Sequence, residues 1–182
     1  MLSFLKYLIQ LVLSPGNGWE DLAKESPDPE ELTRRGLYPL LGIAAITEFL
    51  ALIFHRHIRL ADVLVRAIAD FGAYFVSIFI ARLIFELYLR KLTGATPEPR
   101  RTATLTVTGI GLMVVIQIIS NCMPWNLVLL KFLPLYVILV LYKAAPYIGV
   151  DKRSELNFIG LSAAAIVAVP LLLYYLLYLI IQ

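Results

Sequence analysis

Long apolar stretches are the feature that most restricts how this chain can fold. Five of them match the roughly 17–25 residues that a helix needs to cross about 30 Å of hydrocarbon. The predicted spans cover residues 37–54, 65–88, 104–120, 126–142 and 158–181. None shows the alternating apolar and polar pattern of a membrane β-barrel. The sequence therefore predicts an all-α fold, a polytopic membrane bundle of five transmembrane helices.

Composition supports the same interpretation. Of the 182 residues, 60% are hydrophobic and 16% are charged, and the mean hydropathy is +0.80. A soluble domain of this size could not bury so much apolar surface, so lipid must cover part of it. The net charge is only +3, with no basic run interleaved with aromatic residues, and we expect no nucleic-acid partner. A single cysteine, Cys122, excludes an internal disulfide.

The distribution of Lys and Arg predicts the orientation, because positively charged short loops stay in the cytoplasm. With a cytoplasmic N-terminus and an external C-terminus, eleven basic residues fall on the cytoplasmic side: Lys6, Lys24, Arg34, Arg35, Arg90, Lys91, Arg100, Arg101, Lys143, Lys152 and Arg153. Only Arg56, Arg59 and Arg66 fall outside. This excess predicts a multi-pass protein with its N-terminus inside.

The first 13 residues have the periodicity of a short amphipathic helix. The polar residues Ser3, Lys6 and Gln10 recur every three or four positions among apolar ones. At ~1.5 Å per residue this helix is about 20 Å long, too short to span the membrane, so we expect it to lie along the cytoplasmic leaflet. A cleaved signal peptide is the alternative, but a turn follows at residues 14–18 in place of a cleavage pattern.

Further helix starts are predicted at Asn17, with Glu20 three residues later, and at Asp28, with Pro29 at the first helical position. Residues 1–36 thus form a cytoplasmic amphipathic collar, and residues 37–182 form the transmembrane domain. We expect five collar side chains to contact lipid or a partner: Phe4, Leu5, Leu8, Trp19 and Leu22.

Polar side chains inside the spans are costly in hydrocarbon and normally face a partner or a water-filled cavity. With the predicted orientation, five of them lie in the outer part of the bilayer and could converge: Glu48, Asp70, Gln117, Asn121 and Lys131. One interpretation is an externally open vestibule for a solute, ion or lipid headgroup. The other is a set of interhelical hydrogen bonds and ion pairs that fix the register of the bundle.

Other motifs support structural roles. Arg82, Glu86 and Arg90 are four residues apart and predict an interfacial ladder of ion pairs. His55 and His57 point in different directions on a helix and predict a surface loop, not a metal site.

Small residues and missing motifs add two expectations. A small-residue row at Gly160, Ala164 and Ala168 would allow an internal helix contact or a homodimer. Catalytic motifs are lacking, so we expect neither an enzyme nor a cofactor.

Two segments resemble a known family. Residues 11–25, LVLSPGNGWEDLAKE, and residues 133–156, LPLYVILVLYKAAPYIGVDKRSEL, are similar to bacterial members of the Yip family (the Ypt-interacting-protein membrane family). The chain departs from the family pattern at Ala144 and in the third span. The resemblance implies a five-span protein of the bacterial inner membrane.

These observations predict a non-enzymatic component that organises the membrane or binds a membrane-protein partner. A small transporter or channel that uses the polar cluster is the alternative.

Overall fold

The chain folds into helices throughout the part that the structure describes. The computed structural model describes residues 1–54, 58–123, 130 and 132–181. In chain order the helices are α1 (Leu2–Leu13), α2 (Pro15–Glu25), α3 (Pro29–Phe54), α4 (Leu60–Thr93), α5 (Pro99–Cys122), α6 (Leu133–Tyr142), α7 (Ala145–Ile148) and α8 (Lys152–Ile181). The described residues contain no β-strand, so the predicted all-α class is confirmed.

Four helices, α3, α4, α5 and α8, are long and apolar enough to cross a membrane. They contain the first, second, third and fifth predicted spans. The described part of the fourth predicted span is α6, a shorter apolar helix. At ~1.5 Å per residue α6 is about 15 Å long, and residues 126–129 and 131 of this span lie outside the described residues. Five crossings and the orientation therefore stay predictions.

The sequence signals at the helix starts have different outcomes. The Asp28 side chain accepts a hydrogen bond from the Glu31 backbone N–H at 3.2 Å, and Pro29 takes the first helical position, as predicted. For α2 the predicted start at Asn17 is wrong, because the helix already begins at Pro15. Proline at a first helical position has no N–H to leave unpaired, so it begins the helix before the expected cap residue is reached.

Two spans contain a widened helical turn just before a proline. In α3 a π-helical segment, Thr33–Leu37, precedes Pro39, and in α8 a second one, Ala163–Ala168, precedes Pro170. A proline inside a helix lacks the N–H for the usual hydrogen bond and its ring crowds the carbonyl four residues earlier. The wider turn relieves this crowding and lets the span continue.

Helices α1 and α2 form an antiparallel hairpin. The Tyr7 hydroxyl donates to the Glu25 carboxylate, and the Gln10 amide donates to the Asp21 carboxylate. At Gly18 the two backbones come close, since a Cβ built there would lie 3.1 Å from the Leu11 Cα. This hairpin, Leu2–Glu25, is thus a folded unit with its own polar contacts, and from here on it is what we call the collar.

This hairpin is docked into the spanning helices, and its docking corrects one prediction. Phe4, Leu8 and Trp19 are each only 2% exposed, and Leu22 is fully buried. These four side chains pack in the protein's own core, so the expectation that they contact lipid or a partner is wrong. Leu5 is half-buried. Periodicity identified an apolar face correctly but could not show that protein, not lipid, covers it.

Two glycines make room for the docked helix. A Cβ at Gly36 in α3 would come within 2.4 Å of the Phe4 ring, and a Cβ at Gly111 in α5 would come within 2.7 Å of it. The ring therefore occupies a notch that only glycine leaves open on both sides. The opposite face of α1 stays outside the core and exposes Leu2 and Leu13 at 84% and 79%.

The small-residue row on α8 faces outward. Gly160, Ala164 and Ala168 are all exposed, and among the described residues no atom from another helix would lie within 4 Å of a Cβ at Gly160. Of the two alternatives for this row, an internal helix contact is wrong. The homodimer stays a prediction.

Candidate functional site: a polar cluster between three spans

Polar side chains from three spanning helices meet between α3, α4 and α5. Glu48 comes from a short 3₁₀ segment in α3, Glu48–Leu50, and Asp70 comes from the first third of α4. Gln117 and Asn121 come from α5, one helical turn apart, so they share a face. The structure thus brings together four of the five residues predicted to converge. We call these four residues the polar cluster.

Gln117 is the centre of the polar cluster. Its side-chain amide nitrogen lies 3.0 Å from the Glu48 Oε1 atom and 3.0 Å from the Asp70 Oδ2 atom. The same nitrogen lies 3.2 Å from the Asn121 Oδ1 atom. Glu48 and Asp70 are only 6% and 5% exposed. One amide group therefore joins two buried carboxyl groups from different helices.

Asn121 ties the polar cluster to the backbone of α3. Its amide nitrogen lies 3.2 Å from the Thr47 Oγ1 atom, and the Thr47 hydroxyl donates to the Ala44 carbonyl at 2.7 Å. Sequence reasoning missed Thr47, although it directly precedes Glu48. A hydroxyl beside a buried carboxyl group is the signal that could have identified it.

The polar cluster has more hydrogen-bond acceptors than donors. Gln117 offers two N–H groups to three oxygen atoms, whereas two ionised carboxylates would present four acceptor oxygens. The four ion pairs within 4.0 Å that the described residues form do not involve Glu48 or Asp70. Such a site can hold a shared proton or a small cation. The same hydrogen bonds also fix the register of α3, α4 and α5.

Some predicted positions lie outside the described residues. These are Lys131, the fifth predicted member of the polar cluster, and the pair His55 and His57. Among the residues that are described, no group of three or more His, Cys, Asp or Glu side chains could hold a metal ion.

The predicted ladder on α4 is not formed. Arg82, Glu86 and Arg90 do share one face, but the ion pairs within 4.0 Å in the described chain do not include them. Their side chains instead line a cavity between the end of α4 and the start of α5. This prediction is wrong because the spacing fixed only a common face, and the fold opens a cavity over that face.

A second contact network joins the collar to the spans. The Trp19 indole N–H donates to the Val140 carbonyl at 2.9 Å, and the Trp19 ring packs against Tyr147 with centroids 5.2 Å apart. The Arg101 guanidinium lies over the Tyr147 ring, with its Cζ atom 5.6 Å from the ring centroid, and donates a hydrogen bond to the Tyr147 carbonyl at 2.9 Å. Burial raises the pKa of Tyr147. No periodic or spacing signal pairs these residues, so sequence reasoning could not find them.

No protein-family model matches the chain, and no curated protein or solved structure is significantly similar to it. The resemblance to the Yip family therefore stays a prediction.

Proposed function

We propose that this membrane protein is a non-enzymatic, membrane-organising component whose collar inserts into one leaflet of the bilayer. One observation carries the proposal: α1 is held in place by its buried face while its opposite face stays apolar and exposed. Leu2, Ile9 and Leu13 are 84%, 58% and 79% exposed on that face. Lipid is the natural cover for such a surface on a protein whose neighbouring helices span the membrane.

The arrangement favours insertion into one leaflet only. Helix α1 is about 18 Å long at ~1.5 Å per residue, and its partner α2 carries the charged residues Glu20, Asp21, Lys24 and Glu25. A helix that displaces lipid in one leaflet expands that leaflet relative to the other. Because Phe4 and Trp19 fix the hairpin to the spans, the protein would impose this expansion wherever it resides.

Vesicle size tests the proposal. The protein is reconstituted at fixed protein-to-lipid ratios, and vesicle diameters are measured by electron cryomicroscopy. We expect the wild type to reduce the vesicle diameter. The collar variant Leu2→Ser, Ile9→Ser, Leu13→Ser should not reduce it, because each serine removes roughly 1.5–3 kcal/mol of the free energy gained by burying the side chain in lipid.

The matched control places three serines on exposed apolar positions of the last span, α8. Leu172→Ser, Leu176→Ser, Leu179→Ser changes residues that are 68%, 55% and 76% exposed. This control should still narrow the vesicles. Equal diameters for wild type, collar variant and control would reject the proposal.

The polar cluster supports a second candidate, a small transporter for protons or a cation. The specific observation is a pair of buried carboxyl groups around the single Gln117 amide between three spans. Intramembrane carboxyl groups commonly mark ion or proton pathways.

Flux into liposomes separates the two candidates. Proton, Na⁺ and K⁺ flux are compared between wild type, Glu48→Gln with Asp70→Asn, and the charge-matched control Glu30→Gln with Glu98→Gln on exposed positions. Flux that only the cluster variant loses would make transport the function. A wild-type flux equal to the flux into protein-free liposomes would exclude transport of these ions. The polar cluster would then have only the structural role of fixing the helix register.

A further inference from the structure

A cavity at the corner between α4 and α5 has the composition of a ligand site. Its volume is about 500 Å³, within the range of roughly 300–1,000 Å³ typical of small-molecule sites. Arg82, Glu86 and Arg90 line it from α4, and Thr96 and Thr102 line it from the connection and from α5. The cavity lies at the end of the bundle where basic residues are concentrated in the sequence.

Its electrostatics favour an anion. Two guanidinium groups and one carboxylate line the cavity, leaving a net positive charge, and none of the three is in an ion pair within 4.0 Å among the described residues. The Arg82 Nε atom is buried and finds no hydrogen-bond partner in the part of the chain that the structure describes. A buried N–H of this kind is normally satisfied, and guanidinium groups match the oxygen geometry of phosphate.

The remaining walls of the cavity are apolar, and α4 also carries exposed apolar side chains outside the cavity. Phe85, Leu89 and Pro97 line the cavity, while Leu83 and Leu87 on the same helix are exposed at 53% and 48%. A ligand with a phosphate beside the arginines could therefore place an acyl chain along α4. Free phosphate would use the polar part alone.

We propose that this cavity binds a phosphate group, and that the phosphate belongs to the headgroup of an anionic membrane lipid. Arg82 and Arg90 hold the phosphate oxygens, and the Thr96 hydroxyl adds a hydrogen bond, whereas the Thr102 hydroxyl already donates to the Pro99 carbonyl at 2.9 Å. Glu86 opposes a dianion and limits the site to a singly charged phosphodiester. The proposal is independent of the collar and of the polar cluster.

Native mass spectrometry of the detergent-solubilised protein tests it with phosphatidylglycerol, phosphatidylcholine and inorganic phosphate as probes. We expect the wild type to bind phosphatidylglycerol at least tenfold more tightly than phosphatidylcholine, and the variant Arg82→Gln, Arg90→Gln to lose that preference. The matched control, Arg34→Gln with Lys91→Gln, removes the same charge from exposed positions outside the cavity and should keep it.

A second variant tests the site independently, in case the double arginine variant does not fold. Ala103→Phe fills the cavity with an aromatic ring while both arginines stay in place, so it should also lose the lipid. Displacement of phosphatidylglycerol by millimolar inorganic phosphate would support the phosphate chemistry but overturn the lipid assignment. Equal binding of both lipids by wild type, or an unchanged preference in the Ala103→Phe variant, would overturn the proposal.

Discussion

Substituting Gly36 with alanine should undock the collar. The added methyl group would lie 2.4 Å from the Phe4 Cγ atom and 2.6 Å from its Cβ atom. Both atoms are at the base of the side chain, so a change of ring orientation cannot relieve the clash. The α1 helix must move by about 1 Å to restore an ordinary contact near 3.4 Å.

The cost follows from the kind of contact. Overpacking of a filled core typically costs about 1–3 kcal/mol. Alanine also stabilises a helix by roughly 0.5–1 kcal/mol relative to glycine, but that gain is the same whether α1 is docked or free. It therefore cancels in the docking equilibrium, and the fraction of molecules with an undocked collar should rise about 5–150-fold.

Cysteine accessibility measures this fraction. Leu8 in α1 is 2% exposed and faces Gly111 of α5, so a Leu8→Cys thiol reacts with a maleimide only when the hairpin undocks from the spanning helices. The assay uses a Cys122→Ser background, because the native thiol is exposed. The matched control is Gly42→Ala, also in α3, where no atom from another described helix lies within 4 Å of the new methyl group. Its labelling rate should equal that of the parent.

A double-mutant cycle decides whether Phe4 is the cause. Phe4→Ala alone should make docking of the collar less favourable by about 3–5 kcal/mol, because it leaves the notch between Gly36 and Gly111 empty. The double variant Phe4→Ala, Gly36→Ala should have the same docking free energy as Phe4→Ala alone, because the ring that would clash with Ala at position 36 is absent. Equal labelling of the Gly36→Ala and Gly42→Ala proteins, or full additivity in the cycle, would refute the reasoning.

Three further predictions concern single side chains. Gln117→Leu removes the donor shared by both carboxyl groups and should lower the free energy of unfolding in detergent by about 1–3 kcal/mol; an unchanged midpoint would contradict this. Trp19→Phe loses the hydrogen bond to Val140 and should cost about 1 kcal/mol in the same assay. Burial, with the hydrogen bond to Glu25, raises the pKa of Tyr7 to about 12. The stability that this shift confers is therefore present below pH 10 and lost between pH 10 and 12, and thermal melts of the Tyr7→Phe variant should lack that loss.

Local pattern predicted the secondary structure and part of the site. The length of the apolar stretches determined the helical class, since hydrocarbon leaves no other way to pair the backbone in a chain without strand alternation. Polar residues in the spans were rare enough that Glu48, Asp70, Gln117 and Asn121 could be proposed as one group. Exposing a polar side chain to hydrocarbon costs free energy, so polar residues in different spans tend to contact one another. This is why the group was predictable.

Contacts between distant segments were not predictable in the same way. The sequence predicted an apolar face on α1 but assigned Phe4 and Leu8 to contact with lipid or a partner. Whether lipid or protein covers that face depends on the notch between Gly36 and Gly111, which exists only once α3 and α5 are side by side. The same limit explains why the predicted ion-pair ladder at Arg82 and Arg90 was wrong. Spacing along the helix predicts a shared face but not the cavity that lies over that face.

The sequence by itself therefore determined an all-helical chain with spans for a membrane, because periodicity and hydropathy are properties of neighbouring residues. Only the tertiary structure decided that the collar docks inward, that Gln117 joins two carboxyl groups, and that Trp19 packs on Tyr147. Each of these depends on the distance between residues far apart in sequence, and that distance is set by how the helices pack.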